Sequence, residues 1–101
     1  MINPVQRRQP QPQQERSERS KQVQAEREIA RAEEDYQRLR NAYLSLAREE
    51  HNEVALAMIG ADMDRAHAVL QDLTGLRQLP FTHEPTRVVR REARRLVEEN
   101  S

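Results

Sequence analysis

Seven apolar side chains recur along one stretch of this chain at alternating spacings of four and three: Ala25, Ile29, Ala32, Tyr36, Leu39, Tyr43 and Leu46. That is the seven-residue repeat of a helix with one stripe buried against another helix. Ile29, Tyr36 and Tyr43 hold one heptad position, and Ala25, Ala32, Leu39 and Leu46 hold the other. The flanks are charged, with Glu26, Glu28, Glu33, Glu34 and Asp35 set among Arg27, Arg31, Arg38 and Arg40. Neither Gly nor Pro occurs between Gln14 and His51, so nothing there breaks a helix. The pattern fits a coiled coil with another chain and equally an amphipathic helix inside its own small bundle. Ala, Glu, Arg, Leu and Gln dominate the composition, which is that of long helices.

A second heptad seam follows, out of phase with the first. Leu56, Ile59, Met63, Ala66, Leu70 and Leu73 are spaced 3, 4, 3, 4, 3. Continuing the first seam past Leu46 lands on Glu50 and Glu53, so the phase breaks between residues 49 and 53. Asn52 there is a suitable N-cap for a new helix. The reading preferred is a helical hairpin with a tight turn at His51 and Asn52. The rival is one continuous helix of about 60 residues with a phase slip, as stutters produce in coiled coils. Gly60 is a second weak point, where a kink or a new cap at Asp62 is expected. Residues 54–59 are apolar all the way round, and a two-helix hairpin leaves one side of them bare. They are the expected contact with a third helix or another subunit.

The second helix is expected to stop at Gly75 in a left-handed conformation, with Leu76 making the apolar contact that such a stop favours. Leu79, Pro80 and Phe81 then form an extended connector, with Phe81 as its anchor. Pro85 or Thr86 opens a third helix. Val89, Ala93, Leu96 and Val97 share its apolar face, while Arg87, Arg90, Arg91, Arg94 and Arg95 oppose the single acid Glu92. Glu98 and Glu99 stand four residues beyond Arg94 and Arg95, within ion-pair reach. This helix has three readings: packing on the hairpin, docking in a protein groove with the arginines on an acidic rim, or guanidinium contacts to phosphates.

The N-terminal segment is different in kind. Residues 1–20 carry Pro4, Pro10 and Pro12 among five glutamines, and have no apolar periodicity. They are expected to form a disordered Pro/Gln-rich arm. The domain boundaries expected are thus an arm over 1–20, a hairpin or coiled coil over 21–79, and a connector with a basic helix over 80–101.

The chemistry available to such a chain is narrow. It has 101 residues and no cysteine, so a multi-domain enzyme, a disulfide framework and a thiolate site are all excluded. Its two glycines cannot build a phosphate loop, and no serine has a histidine beside it. Asp64 and His67 have the i, i+3 spacing that helical bundles use for metals, but the first helix offers no acid on its seam. They are read as surface residues. No catalytic residue, metal or cofactor is expected. Seventeen cationic and 17 acidic residues balance to zero, which argues against a general nucleic-acid coat.

Leu, Ile, Val and Phe are few for a chain this long, so a lone core is marginal and self-association is the natural remedy. The fold class expected is all-α: a long helix, an antiparallel second helix and a shorter basic third helix. The function expected is a non-catalytic coiled-coil assembly, scaffold or adaptor protein, either a homo-oligomer or a subunit of a larger complex. The seam residues for that role are Ile29, Tyr36, Leu39, Tyr43, Leu46, Val54, Leu56, Ile59, Met63, Leu70 and Leu73. The alternative is a small nucleic-acid-binding accessory protein using Arg87, Arg90, Arg91, Arg94 and Arg95 over Val89 and Leu96. No membrane-spanning run or secretory signal is read in the chain. An intracellular protein or a virion component is therefore expected.

Overall fold

The computed structural model describes residues 12–49 and 52–100, with side chains from Glu18 onward. The chain forms α1 (Pro12–Glu49), α2 (Glu53–Leu76) and α3 (Thr86–Glu99). Pro12 stands at the first helical position, where its missing N–H costs nothing. α1 therefore takes in residues 12–20, which the sequence had placed in the arm, while residues 1–11 lie outside the described residues. Gln, Glu, Arg and Ser there are tolerable helix formers, and no glycine or further proline interrupts them.

The phase break is a helix boundary, so α1 and α2 are two helices. His51 lies outside the described residues, but Asn52 caps α2 as expected: its side-chain oxygen accepts the Ala55 N–H at 3.1 Å. Such a cap contributes about 1 kcal/mol, and Glu53 in the first turn adds a favourable charge at the helix N-terminus.

Gly60 does not kink α2, which runs unbroken through it. The helix also passes the expected stop at Gly75. The left-handed residue is Gln78, at φ 56°, three positions later. The Leu79 N–H donates to the Thr74 carbonyl at 2.9 Å and the Gln78 N–H to the Gly75 carbonyl at 3.0 Å. This is a Schellman end with Leu79, not Leu76, in the apolar position. Packing overrides the glycine preference here. Thr74 is buried, with its hydroxyl 3.0 Å from the carbonyls of Leu70 and Gln71, and it holds the last turn in place.

α1 and α2 pack antiparallel, with Tyr36 beside His67 and Tyr43 beside Gly60. α3 runs parallel to α1 and antiparallel to α2. Glu84 pairs with Arg40 just before α3 begins, and Arg90 one turn into it lies near Tyr43 and Asp64. Pro85 precedes α3 in extended conformation and Thr86 is its first residue, as expected. One core joins Ile29, Ala32, Tyr36, Tyr43 and Ala47 of α1 to Met63 and Leu70 of α2 and to Val89, Ala93 and Leu96 of α3. α2 ends beside residues 22–29 of α1, and residues 18–24 are largely exposed beyond it. No helix among the described residues is long and apolar enough to cross a membrane.

Candidate functional site

Each hairpin helix carries two heptad lines, and the structure uses them differently. The first lines are Ile29, Tyr36 and Tyr43 on α1, and Leu56, Met63 and Leu70 on α2. They point at each other, and all but Leu56 are buried. The second lines are Ala32, Leu39 and Leu46 on α1, and Ile59, Ala66 and Leu73 on α2. With about 100° between successive residues, both second lines turn to the same side of the hairpin. Apart from buried Ala32 they are only half-buried.

α3 covers the opposite side. Gly60 faces it, and a Cβ built there would lie 3.0 Å from Arg90 Nη2 and 3.1 Å from Tyr43 Cε1. The missing side chain leaves room there for the Arg90 guanidinium and the Tyr43 ring. Arg90 Nη1 donates to Asp64 Oδ1 at 2.5 Å. That bond holds the Asp64 carboxyl below the usual carboxylate range and raises the Arg90 pKa in turn. Arg40 Nη2 donates to Glu84 Oε1 at 3.0 Å. The lead into α3 is fixed by rings: Tyr36 meets His67 edge-on at a centroid distance of 5.4 Å and His83 at 5.6 Å. Phe81 lies 5.0 Å from His67 and 5.5 Å from His83. His67 Nε2 donates to the Glu84 carbonyl at 3.1 Å.

This cluster fastens the lead into α3 to the hairpin. Its imidazoles are spent on ring contacts and on one backbone carbonyl. The Tyr36 hydroxyl is buried without a hydrogen-bond partner, and burial pushes its pKa up, so it stays protonated at neutral pH. Among the described residues, no three His, Asp or Glu side chains come together as metal ligands.

The residues of α3 separate by face. Val89 and Leu96 are buried against the hairpin, so they are not on offer to an outside groove. Arg90 is held by Asp64, and Arg95 by Glu92 at 2.5 Å and Glu99 at 3.8 Å. Arg87, Arg91 and Arg94 form an exposed stripe on the outer face.

The side of the hairpin away from α3 has no cover among the described residues. Beside the second lines stand Met58, 66% exposed, and Val69, 51% exposed. Val54 at the head of α2 is 70% exposed. A groove of about 300 Å³ runs between the helices, floored by Ala32, Ala66, Val69 and Leu73 and edged by Glu28, Arg31 and Asp35. Leu39 and Leu46 continue the strip along α1. Of the seam residues read from sequence, Ile29, Tyr36, Tyr43, Met63 and Leu70 are therefore interior. Leu39, Leu46, Ile59 and Leu73 floor the open side, Leu56 is half-buried, and Val54 is at the surface.

Several important positions were not read from the sequence. Ala47 is fully buried, although it lies off the heptad seam. It extends a line through Tyr36, Arg40 and Tyr43, which widens the buried stripe of α1 where α3 joins. Gly60 gave only a breaker signal, and the meeting of Tyr36, His67, Phe81 and His83 joins residues far apart in sequence. No protein-family model matches the chain, and neither does any curated protein or solved structure.

Proposed function

We propose that this is a non-catalytic helix–helix assembly protein, a scaffold or adaptor that works through the open face of its α1–α2 hairpin. One observation carries the reading: a strip of half-buried and exposed apolar side chains runs the length of the hairpin on the side that α3 leaves free. Scattered surface apolar residues need no explanation, but a continuous strip with charged edges is the form of a helix-docking surface. Covering it stabilises by about 25 cal/mol for each Å² of apolar area removed from water. A chain with so few large apolar residues gains appreciably from that. The coiled-coil pattern supports the reading, since the second heptad lines pack against the core but stay half-buried, and leave apolar surface to a partner.

The test is photo-crosslinking in the cells that make the protein. A benzophenone side chain at Met58 or Val69 is expected to capture protein, and the same group at exposed Ala30, on another side of α1, is expected to capture little. Absence of any protein adduct from Met58 and Val69 would refute the reading.

A second reading is favoured by the outer stripe of Arg87, Arg91 and Arg94, which is spaced to meet phosphates as a nucleic-acid-binding helix would. Such binding weakens steeply with salt, and changing the three arginines to Gln lowers both affinity and salt slope. Two features weigh against it: the zero net charge, and the acidic residues Glu92, Glu98 and Glu99 within the same helix. Duplex or single-stranded nucleic acid bound tightly by the wild type, and lost in that triple variant, would put this reading first.

A further inference from the structure

We infer that α3 is a latch: it is helical only while docked, and it opens as one unit from a hairpin that stays folded. This goes beyond the assembly role. It concerns the covered side of the hairpin, and it stands or falls apart from the open face.

The sequence of α3 works against its own helix. Fourteen residues alone are marginal as a helix in water. Thr86, Val88, Val89 and Val97 are β-branched, which lowers helix propensity further. The charges oppose the helix dipole at both ends. The first turn has no acid and carries Arg87, while the last turn has no base and carries Glu98 and Glu99. The hairpin helices have the favourable order, with Arg48 in the last turn of α1 and Glu53 in the first turn of α2. Pro85 at the N-cap offers no side-chain bond to the first N–H groups. The pairs of Arg95 with Glu92 and Glu99 are exposed and add little.

The hairpin provides what α3 lacks. Asp64 of α2 lies against the start of α3, where its Oδ1 accepts from Arg90 Nη1 at 2.5 Å. The same carboxyl takes a further hydrogen bond from the side chain of Thr86, the first residue of α3. A negative charge therefore stands at the positive end of α3 only when the helix is docked. Docking also buries its apolar face of Val89, Ala93 and Leu96. Helix formation and docking are one event.

Opening leaves much of the hairpin untouched. Nine residues, 77–85, join α3 to α2, and most of them are exposed. α3 begins level with Arg40, so Ile29, Ala32, Leu70 and Thr74 are buried at levels it does not reach. That half of the core keeps its packing when α3 leaves, which makes α3 the less stable cooperative unit. Opening turns Val89 and Leu96 to solvent and uncovers Tyr43 and Gly60. Val89 and Leu96 are on offer to an outside groove from the open state alone, and the latch sets how often.

The test is native-state hydrogen exchange on the full chain, read amide by amide. In the wild type, amides 90–99 are expected to share one opening, populated at least roughly tenfold more than that of amides 63–73. Leu70→Ala is expected to raise exchange in the hairpin by about tenfold or more and to leave α3 unchanged, because Leu70 stays packed in the open state. Ile29→Val repeats this with about a threefold rise should Leu70→Ala fail to fold. The chain has no cysteine, so Ala93→Cys introduces one buried thiol. Its labelling is expected to report the same opening as amides 90–99, within roughly threefold. Equal protection in α3 and the hairpin, or a rise common to both in Leu70→Ala or Ile29→Val, would show one cooperative unit and overturn the latch. A thiol far more open than the α3 amides would show α3 leaving as an intact helix, and would overturn the coupling of its helicity to docking.

Discussion

The two sides of the hairpin are built from the same two helices and the same repeat, yet they end differently. On the side of α3, a glycine, an ion pair at Asp64 and Arg90, and four rings meeting edge-on or tilted hold a third helix in place. On the other side the residues are as apolar, but Met58 and Val69 stand in water. A heptad repeat gives each helix two apolar lines, and here the antiparallel neighbour buries the first and leaves most of the second half-buried. What covers the second line is decided elsewhere in the chain, or by another chain. The contrast teaches that an intramolecular partner is recognised by its specific devices, whereas the open side shows only general ones: apolar area and charged edges.

The sharpest way to break this comparison uses two adjacent residues. Leu70 is fully buried and Val69 half-exposed. Leu70→Ala is expected to cost about 2–5 kcal/mol of stability. Val69→Ala, measured by chemical denaturation, is expected to stay within about 0.5 kcal/mol. Equal costs would mean that the two sides are not different.

Gly60→Ala probes the close approach. Ala is the better helix former by about 1 kcal/mol. Its methyl would nevertheless meet Arg90 Nη2 at 3.0 Å and the buried Tyr43 ring at 3.1 Å. The arginine end can swing aside but the ring cannot, so a net loss of about 1 kcal/mol is expected, with the Asp64 resonance moving toward a normal carboxylate titration. A gain in melting temperature would show that Tyr43 yields easily and that the glycine is not needed for docking.

A smaller effect of opposite sign is expected at Tyr36. Its hydroxyl is buried and unpartnered, so Tyr36→Phe removes a desolvation cost and is expected to stabilise by up to about 1 kcal/mol. Destabilisation would imply that the hydroxyl has a partner in solution.

The smallest expected effect is that of acid. Asp64 has its pKa lowered by the Arg90 hydrogen bond. Its contribution is therefore present above the unfolded Asp value of about 3.9 and is lost as pH falls through the lower folded value. Both partners are more than a third exposed, so solvent screening keeps the loss below about 0.5 kcal/mol. Hydrogen exchange of α3 below about pH 4 is the readout, and Asp64→Asn should flatten the response of that helix.

Much of the fold was legible because its signals are local. The heptad lines from Ala25 to Leu46 and from Leu56 to Leu73, the phase break and the Asn52 cap each lie within a few residues of what they specify. The end of α2 was misplaced because glycine is a preference and a buried threonine is a constraint. The burial of Thr74 comes from packing and is not visible in the sequence around it. The fastening of α3 was legible only in part: the apolar face of Val89, Ala93 and Leu96 was read, but the ring contacts and ion pairs beside it were not. His67 and His83 read as isolated residues because Tyr36 and Phe81, which bring them together, are far away in the sequence. The open strip was partly legible: residues 54–59 were singled out as apolar all round. Which of them stay in water depends on the side that α3 takes.

The described residues form an odd number of helices, and that has a mechanical consequence. α3 is parallel to α1, so the chain enters the three helices at Pro12 and leaves them at Glu99 at opposite ends of the rod. A hairpin alone would return the chain to its starting end. α1 has 38 residues, a length of about 57 Å at 1.5 Å per residue. Anything tethered before α1 and anything tethered after α3 is therefore held apart by a stiff strut. Were such tethers pulled apart, the load would pass from α3 to the hairpin through its packed face and the Arg40–Glu84 and Asp64–Arg90 pairs.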